Sequence, residues 1–176
     1  MAQKNPQRIG LAIIGAGRVG LFRGEVAARH PMVDFIGIAD LRQDRLKIVG
    51  GKTKADFVTT DFNELLKRPE ITAAIISTDE HLHVAPILAA AERGLSLLIE
   101  KPLATELSES KKVLDQIQKK KIDAVVGYTQ RFRRRWLTAK EKVRTGQLGD
   151  VTLVTSRAFM NRLVALDNYQ IGRAHV

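Results

Sequence analysis

The sequence predicts an α/β protein with a doubly wound parallel sheet, followed by the beginning of an incomplete α+β second domain. Three observations support this fold class. Short β-branched apolar runs alternate with amphipathic stretches of about ten residues, which is typical of strand–helix–strand units. A glycine-rich turn joins the first apolar run to the first amphipathic stretch. The alternation stops after Gly127, so we predict one domain over 1–127 and the start of a second over 128–176.

The predicted strands are the apolar runs. The first is almost entirely apolar and ends in glycine, as expected of a strand buried on both faces of a sheet. Pro69 separates the preceding helical stretch from the fourth run, and charged residues border that run on both sides. The six strands of the first domain are predicted at 8–15, 33–39, 56–59, 71–77, 95–99 and 123–127.

The predicted helices carry apolar residues at helical spacing, as Val19, Phe22 and Val26 do in the first helix. Asp61 is a predicted N-cap, and Gly94 is a predicted C-terminal stop. We expect Gly50 to end the second helix. The helices are predicted at 18–29, 41–49, 61–66, 81–93 and from Thr105 or Ser108 to about Lys120; a further amphipathic stretch reaches Arg144, and a strand is predicted at 151–159.

Composition excludes several classes of protein. The 176 residues include no Cys, which excludes disulfides, thiolate metal sites and cysteine nucleophiles. No apolar run is long enough to span a membrane, and the polar N-terminal residues do not resemble a secretory signal. We therefore expect a cytoplasmic protein that does not bind a membrane, and we predict no metal site.

Residues 15–20, Gly-Ala-Gly-Arg-Val-Gly, fit the G-x-G-x-x-G pattern and lie between a predicted strand and a predicted helix. Gly15 permits the tight turn, Gly17 lets the backbone approach a pyrophosphate, and Gly20 lets helix and sheet pack closely. N–H groups at the helix start would bind the anion. A glycine turn used only for packing is the alternative. The pattern predicts a Rossmann-type cofactor loop formed by Gly15, Ala16, Gly17, Arg18, Val19 and Gly20.

Asp40 ends the second predicted strand region, twenty positions after Gly20. A carboxylate there would accept hydrogen bonds from an adenosine ribose and repel a 2′-phosphate, which favours NAD. Arg42 lies two residues further on and could stack on adenine or pair with such a phosphate, so NADP is compatible as well. Leu41, between them, belongs to the same predicted site.

Four ordered motifs together resemble those of the Gfo/Idh/MocA oxidoreductases, the family of glucose-fructose oxidoreductase and inositol dehydrogenase. They are the glycine loop, the turn at 78–83, Glu-Lys-Pro-Leu-Ala at 100–104 and Gly-Tyr-Thr-Gln-Arg-Phe at 127–132. The resemblance covers residues 8–165. It implies an NAD(P)-dependent enzyme that transfers a hydride between a nicotinamide and a secondary alcohol of a sugar, polyol or related compound. A non-catalytic NAD(P)-sensing regulatory protein of the same fold is the alternative.

The resemblance also implies roles for single residues. Lys101 is the catalytic lysine, whose ammonium would stabilise developing alkoxide at the substrate hydroxyl. Glu100 orders the loop or accepts a hydrogen bond from the cofactor. His83 matches the histidine of the 78–83 turn, although from the residues alone it is a surface residue at a helix start. The remaining cofactor residues of the predicted site are Asp40, Leu41, Arg42, Ser77, Thr78, His83, Glu100 and Lys101.

Positive charge is concentrated in residues 111–144, which contain twelve Lys or Arg and three Asp or Glu. An exposed or interface surface, an anionic ligand and nucleic acid are the three interpretations. No recognised nucleic-acid motif accompanies the charge, which disfavours nucleic acid. Within this segment the resemblance places Tyr128 and Arg131 at the substrate cleft or the interdomain hinge.

The sequence also predicts that the second domain is incomplete. In the family that domain carries an Asp-x-x-x-His element that positions and deprotonates the substrate, but Asp167 and His175 do not have this spacing. Residues 171–176 look like translated adapter sequence, with a short natural tail as the alternative. We therefore expect a truncated chain that binds cofactor but is inactive by itself, taken from a whole protein that forms homo-oligomers.

Overall fold

A computed structural model describes residues 8–157 and 159. Its centre is one six-stranded parallel sheet with the strand order β3-β2-β1-β4-β5-β6. The chain therefore begins at the middle of the sheet, runs to one edge and returns to build the other, which confirms the predicted doubly wound fold. The strands are β1 (Ile9–Ile14), β2 (Val33–Ala39), β3 (Phe57–Thr59), β4 (Ala73–Ile76), β5 (Ser96–Ile99) and β6 (Ala124–Val126).

Helices connect the strands, and a further helix follows the sheet. Asp61 caps the third helix as predicted, with its side chain accepting a hydrogen bond from the N–H of Asn63. Gly94, the predicted C-terminal stop of the fourth helix, lies two residues after the last helical residue and has a φ of +73°. The helices are α1 (Arg18–Ala27), α2 (Gln43–Thr53), α3 (Phe62–Leu66), α4 (Val84–Glu92), α5 (Leu107–Lys120) and α6 (Arg134–Arg144). No helix among the described residues is both long and apolar enough to cross a membrane.

Two apolar clusters cover the two faces of the sheet. Alternate residues of β1 divide between them, since successive side chains of a strand point to opposite faces. Leu11 and Ile13 belong to the cluster that includes residues of α1 and α2. Ala12 and Ile14 belong to the cluster that includes residues of α3, α4 and α5. Both faces of the central strands are therefore covered, and ligands have access only at the ends of the strands.

The predicted end of the second helix is wrong. Helix α2 continues through Gly50 and Gly51 to Thr53 and ends at Lys54, which has a φ of +52°. Thr53 is buried, and its hydroxyl donates to the carbonyl of Val49. Burial of Thr53 thus favours a further helical turn that local glycine propensity opposes, because tertiary packing overrides propensity at such positions.

The predicted start of the fourth helix is also wrong. A short 3-10 turn occupies Glu80–Leu82, and α4 begins only at Val84. The N–H of Leu82 donates to the carbonyl of Asp79, and the His83 ring bonds to the Thr78 hydroxyl. These local hydrogen bonds hold the residues after β4 in a tight turn instead of a helix.

The chain divides into two compact units, the first ending at Thr129 and the second beginning at Gln130. In the second unit α6 carries exposed Trp136, Leu137 and Val143. The strand predicted at 151–159 is not formed: residues 151–157 and 159 have no regular secondary structure. Asp167, His175 and the 171–176 segment lie outside the described residues.

Candidate cofactor site and Lys101 loop

A cavity of about 600 Å³ opens at the carboxyl ends of β1, β2 and β4. We call it the Asp40 cavity. Its lining combines the glycine loop and Asp40 with the apolar side chains of Phe62, Leu82 and Pro86, which we call its apolar wall. The residues that line it are Ile14, Gly15, Gly17, Ala39, Asp40, Leu41, Arg42, Arg45, Thr60, Phe62, Ser77, Thr78, Asp79, His81, Leu82, Ala85 and Pro86. An apolar wall beside hydrogen-bonding groups suits a flat heterocycle joined to a ribose.

The glycine loop has the geometry that its sequence predicts. Gly15 has a φ of +98°, and a Cβ there would lie 2.5 Å from the backbone of Ser77 and Thr78. A Cβ on Gly20 would lie 2.0 Å from the carbonyl oxygen of Gly15. Gly17 is different, because a Cβ there would meet no atom within 4 Å. Two glycines are therefore required by packing, and the third faces open space where a pyrophosphate fits against the start of α1.

Asp40 is held in place by the loop that it faces. Its Oδ2 accepts a hydrogen bond of 2.6 Å from the N–H of Ala16, and its Oδ1 accepts one of 2.8 Å from the N–H of Arg42. Its side chain is 7% exposed, and the guanidinium of Arg45 lies 3.8 Å away. The carboxylate is thus oriented before any ribose is bound, which reduces the entropic cost of binding.

The Arg42 side chain forms an ion pair with Asp44, in the helix that Arg42 precedes. Its guanidinium pairs with Asp44 at 2.5 and 3.0 Å, and the hydrogen bond to that carboxylate is the main reason that the pKa of Arg42 is raised and that of Asp44 is lowered. Leu41 beside it is 75% exposed. The guanidinium that lies beside the Asp40 carboxylate, at 3.8 Å, is instead that of Arg45, which the sequence analysis missed.

Two buried residues, Ser77 and His83, form hydrogen bonds to residues that line the Asp40 cavity. The buried Ser77 hydroxyl donates to the Gly15 carbonyl at 2.8 Å, so it joins the end of β4 to the glycine loop. His83 is 1% exposed, and its Nδ1 lies 2.8 Å from the Thr78 hydroxyl. Burial lowers the pKa of His83, which favours the neutral form of its ring. The interpretation of His83 as a surface residue is therefore wrong.

Glu100 and Lys101 follow β5 at the same edge of the sheet. The Glu100 carboxylate pairs with Arg23 of α1, with 2.7 Å between Arg23 Nε and Glu100 Oε1. Lys101 is exposed, and the Lys101–Pro102 peptide bond is cis. Neither Glu100 nor Lys101 lines the Asp40 cavity. The predicted adenosine end and the predicted reacting end of the site are therefore separate surfaces at one sheet edge.

The other predicted site residues lie at the surface of the described chain. Arg18 and Val19 are exposed in the first turn of α1, and Tyr128, two residues after β6, is 45% exposed. Arg131 is an exposed residue of the second unit.

Sequence reasoning missed Arg23, Arg45 and the apolar wall that Phe62, Leu82 and Pro86 contribute. Arg45 had a weak signal, since it follows Asp40 by five positions within the helix predicted at 41–49. Arg23 had none, because nothing local to residues 18–27 indicates a partner 77 positions away.

Comparison with known proteins identifies the family of this chain. The model of an oxidoreductase family with an NAD-binding Rossmann fold matches residues 9–128. The chain belongs to the Gfo/Idh/MocA family. The Rossmann fold of this family binds NAD, which is the cofactor that the sequence favours.

Individual members of the Gfo/Idh/MocA family match most of this chain. An uncharacterized oxidoreductase, YrbE of Bacillus subtilis, is 30% identical over 86% of this chain and 45% of its own length. Myo-inositol 2-dehydrogenase of Thermotoga maritima is 28% identical over 84% of this chain and 45% of its own length. The chain thus spans less than half the length of these relatives.

A solved structure shares the fold. Scyllo-inositol dehydrogenase of Lactobacillus casei, with bound NAD(H) and scyllo-inositol, superposes with a TM-score of 0.76 at 22% identity. The superposition covers 83% of this chain and 44% of that one. At this identity the likeness shows the Rossmann fold of the family and nothing finer.

Proposed function

We propose that the whole protein containing this chain transfers a hydride between NAD and a secondary alcohol of a sugar, polyol or related compound. The observation that carries the proposal is the position of Lys101. It follows β5 at the same sheet edge where the glycine loop and Asp40 follow β1 and β2. The names of the inositol dehydrogenase relatives support the substrate class.

We assign the following roles in binding and hydride transfer to residues of this chain. The N–H groups at the start of α1 bind the pyrophosphate, and Asp40 accepts hydrogen bonds from the adenosine ribose. NAD, when bound, supplies the hydride acceptor. As the hydride leaves the carbinol carbon, the hydroxyl proton leaves its oxygen, and the Lys101 ammonium stabilises the developing negative charge there. By resemblance, the proton acceptor is the Asp-x-x-x-His element of the family's second domain.

We propose further that the 176-residue chain alone binds NAD with little turnover, and that the whole protein is a homo-oligomer in which Tyr128 and Arg131 lie at the substrate cleft or hinge. The share of the relatives that the chain spans supports the first statement. Oligomerisation rests on the resemblance alone, and light scattering of the whole protein tests it.

The cofactor assignment is tested with Asp40→Asn in the 176-residue chain. The variant keeps the side-chain shape and removes the charge, so we expect NADH affinity to fall by about 10- to 100-fold, the value of a hydrogen bond to a charged group. NADH fluorescence measures the affinity, and a parallel titration with NADPH measures selectivity, which should shift toward NADPH.

Asp56→Asn is the matched control. Its carboxylate accepts a 2.8 Å hydrogen bond from the N–H of Ile36, in the middle of β2, and neither residue lines the Asp40 cavity. NADH affinity should be unchanged in this variant. Unaltered NADH affinity in Asp40→Asn would contradict the assignment.

The role of Lys101 is tested in the whole protein. Lys101→Ala should lower kcat by about 10²- to 10⁴-fold while the KM for NAD changes far less, because the ammonium acts on the reacting oxygen. Lys119→Ala, at an exposed position in α5, is the control. Equal losses in kcat and cofactor affinity would make Lys101 a structural residue, and an unchanged kcat would exclude a catalytic role for it. Absence of turnover in the unsubstituted whole protein would favour the NAD-sensing alternative.

A further inference from the structure

A largely buried ion pair joins α1 to the loop that carries Lys101. Both the Nε and the Nη2 of Arg23 contact the same Glu100 oxygen. The two side chains are 19% and 13% exposed. Among the ion pairs of the described residues, this is the one in which both partners are less than one-fifth exposed. Because the pair is largely buried, it cannot be explained as an incidental pairing of charges on the surface.

Stability is a poor explanation for such a pair. Removing two charges from water costs about as much as their attraction returns, so apolar side chains of similar volume would serve the fold equally well. A buried pair does, however, define a geometry, since the planar guanidinium donates hydrogen bonds to a carboxylate in few orientations. The pair is thus better suited to fixing the position of Glu100 than to stabilising the sheet.

The surroundings leave Glu100 little freedom. Its N–H donates to the carbonyl of Ile76 in β4 at 2.8 Å. Gly127, at the end of β6, lies against the ion pair, because a Cβ there would be 3.0 Å from the Arg23 Nη2 and 3.1 Å from the Glu100 Oε1. Glu100 is thus fixed by β4 through its backbone and by α1 through its side chain. Lys101 is the next residue.

Arg23 belongs to the helix that forms the phosphate end of the site. Helix α1 begins at Arg18, directly after Gly17 of the glycine loop, and Arg23 lies about one and a half turns further along it. One rigid element therefore contacts both the place where the pyrophosphate fits and the residue before Lys101. The Arg23–Glu100 contact is a side-chain link between these two regions, in addition to the sheet.

We propose that Arg23 is a positioning residue: through Glu100 it sets the position of Lys101 relative to the cofactor held by the glycine loop. The inference rests on the proposed role of Lys101. Without the pair, the Lys101 loop samples more positions, while Asp40 and the glycine loop still hold the adenosine end. The consequence is loss of order at Lys101 with cofactor affinity retained.

The experiment uses the 176-residue chain with its lysines ¹³C-dimethylated, and the Lys101 signal assigned by Lys101→Arg. Arg23→Met removes the charge and keeps most of the side-chain length. We expect the Lys101 methyl signal to move, and its shift on NADH addition to be lost, while NADH affinity stays close to that of the unmodified sequence. Arg23→Lys, which retains one donor and the charge, should restore part of the NADH response.

Two further variants separate positioning from stability. Glu100→Gln keeps the shape of the acceptor and should move the Lys101 signal in the same way, which protects the test if Arg23→Met folds poorly. Arg8→Met removes the exposed pair with Asp34 at the opposite end of the sheet and should leave the signal in place. A lowered melting temperature with an unmoved Lys101 signal in both Arg23→Met and Glu100→Gln overturns the proposal. Failure of the unsubstituted chain to bind NADH would instead overturn the proposed function, and the Lys101 signal in the free chain would still test the pair.

Discussion

The glycine loop and the Lys101 loop lie at the same edge of the sheet but differ in how they are fixed. The glycine loop is tied to β2 and β4 by hydrogen bonds from Gly15 and Ala16 and from the Ser77 hydroxyl. The Lys101 loop is tied to α1 by one side chain, Glu100, and Lys101 itself is exposed. The predicted binding end of the site is thus held by contacts from three residues, whereas the predicted reacting end is held through one residue, Glu100, by its N–H to β4 and its carboxylate to α1.

The largest expected effect comes from a substitution that overpacks the glycine loop. In Gly20→Ala the new Cβ would lie 2.0 Å from the Gly15 carbonyl oxygen, so α1 has to move away from the sheet. Overpacking of this kind costs about 1–3 kcal/mol of unfolding free energy. Urea denaturation measures the change, and a midpoint equal to that of the unsubstituted chain would contradict the packing role of Gly20.

Gly17→Ala separates binding from packing in the same loop. A Cβ at Gly17 meets nothing within 4 Å, so the unfolding free energy should stay the same. NADH affinity should fall, because the methyl group occupies space that a pyrophosphate would use. Fluorescence titration beside urea denaturation distinguishes the two effects; equal affinity in Gly17→Ala would place the pyrophosphate elsewhere.

A smaller effect is expected when Ser77 is shortened. Ser77→Ala leaves the Gly15 carbonyl without its hydroxyl donor, which costs about 1 kcal/mol in stability and loosens the loop enough to weaken NADH binding. The matched control is Thr72→Ala, which removes a hydroxyl bonded to the Gly10 backbone at the other end of the sheet. If both variants lower NADH affinity equally, the Ser77 contact has no special relation to the site.

The smallest effect concerns pH. Burial holds the pKa of His83 below its usual value of 6.5, so between these two values the unfolded chain binds a proton that the folded chain does not. Stability from this group is therefore complete above pH 6.5 and decreases as the pH falls toward the lowered pKa. In His83→Gln this part of the pH dependence should disappear from urea midpoints measured between pH 7 and pH 5; an unaltered slope would assign it to other groups.

The sequence predicted the sheet well because its signals are local. Six strands, the Asp61 cap and the Gly94 stop all depend on residues within a few positions of each other. The end of α2 and the burial of His83 depend instead on contacts between segments, which no local pattern contains. The same reason explains which site residues could be predicted. The motif of fixed spacing contains Gly15, Gly17, Gly20 and Asp40, whereas the partner of Glu100 comes from a different helix and has no local signal.

The continuation of α2 to Thr53 has a consequence for how this sequence can vary. A Cβ on Gly24 would lie 2.8 Å from the Thr53 methyl group, so α1 and α2 touch through this pair of positions. In aligned relatives that keep the contact, a larger residue at one position should be accompanied by a smaller one at the other. Anyone who grafts either helix into another scaffold therefore has to transfer the two positions together.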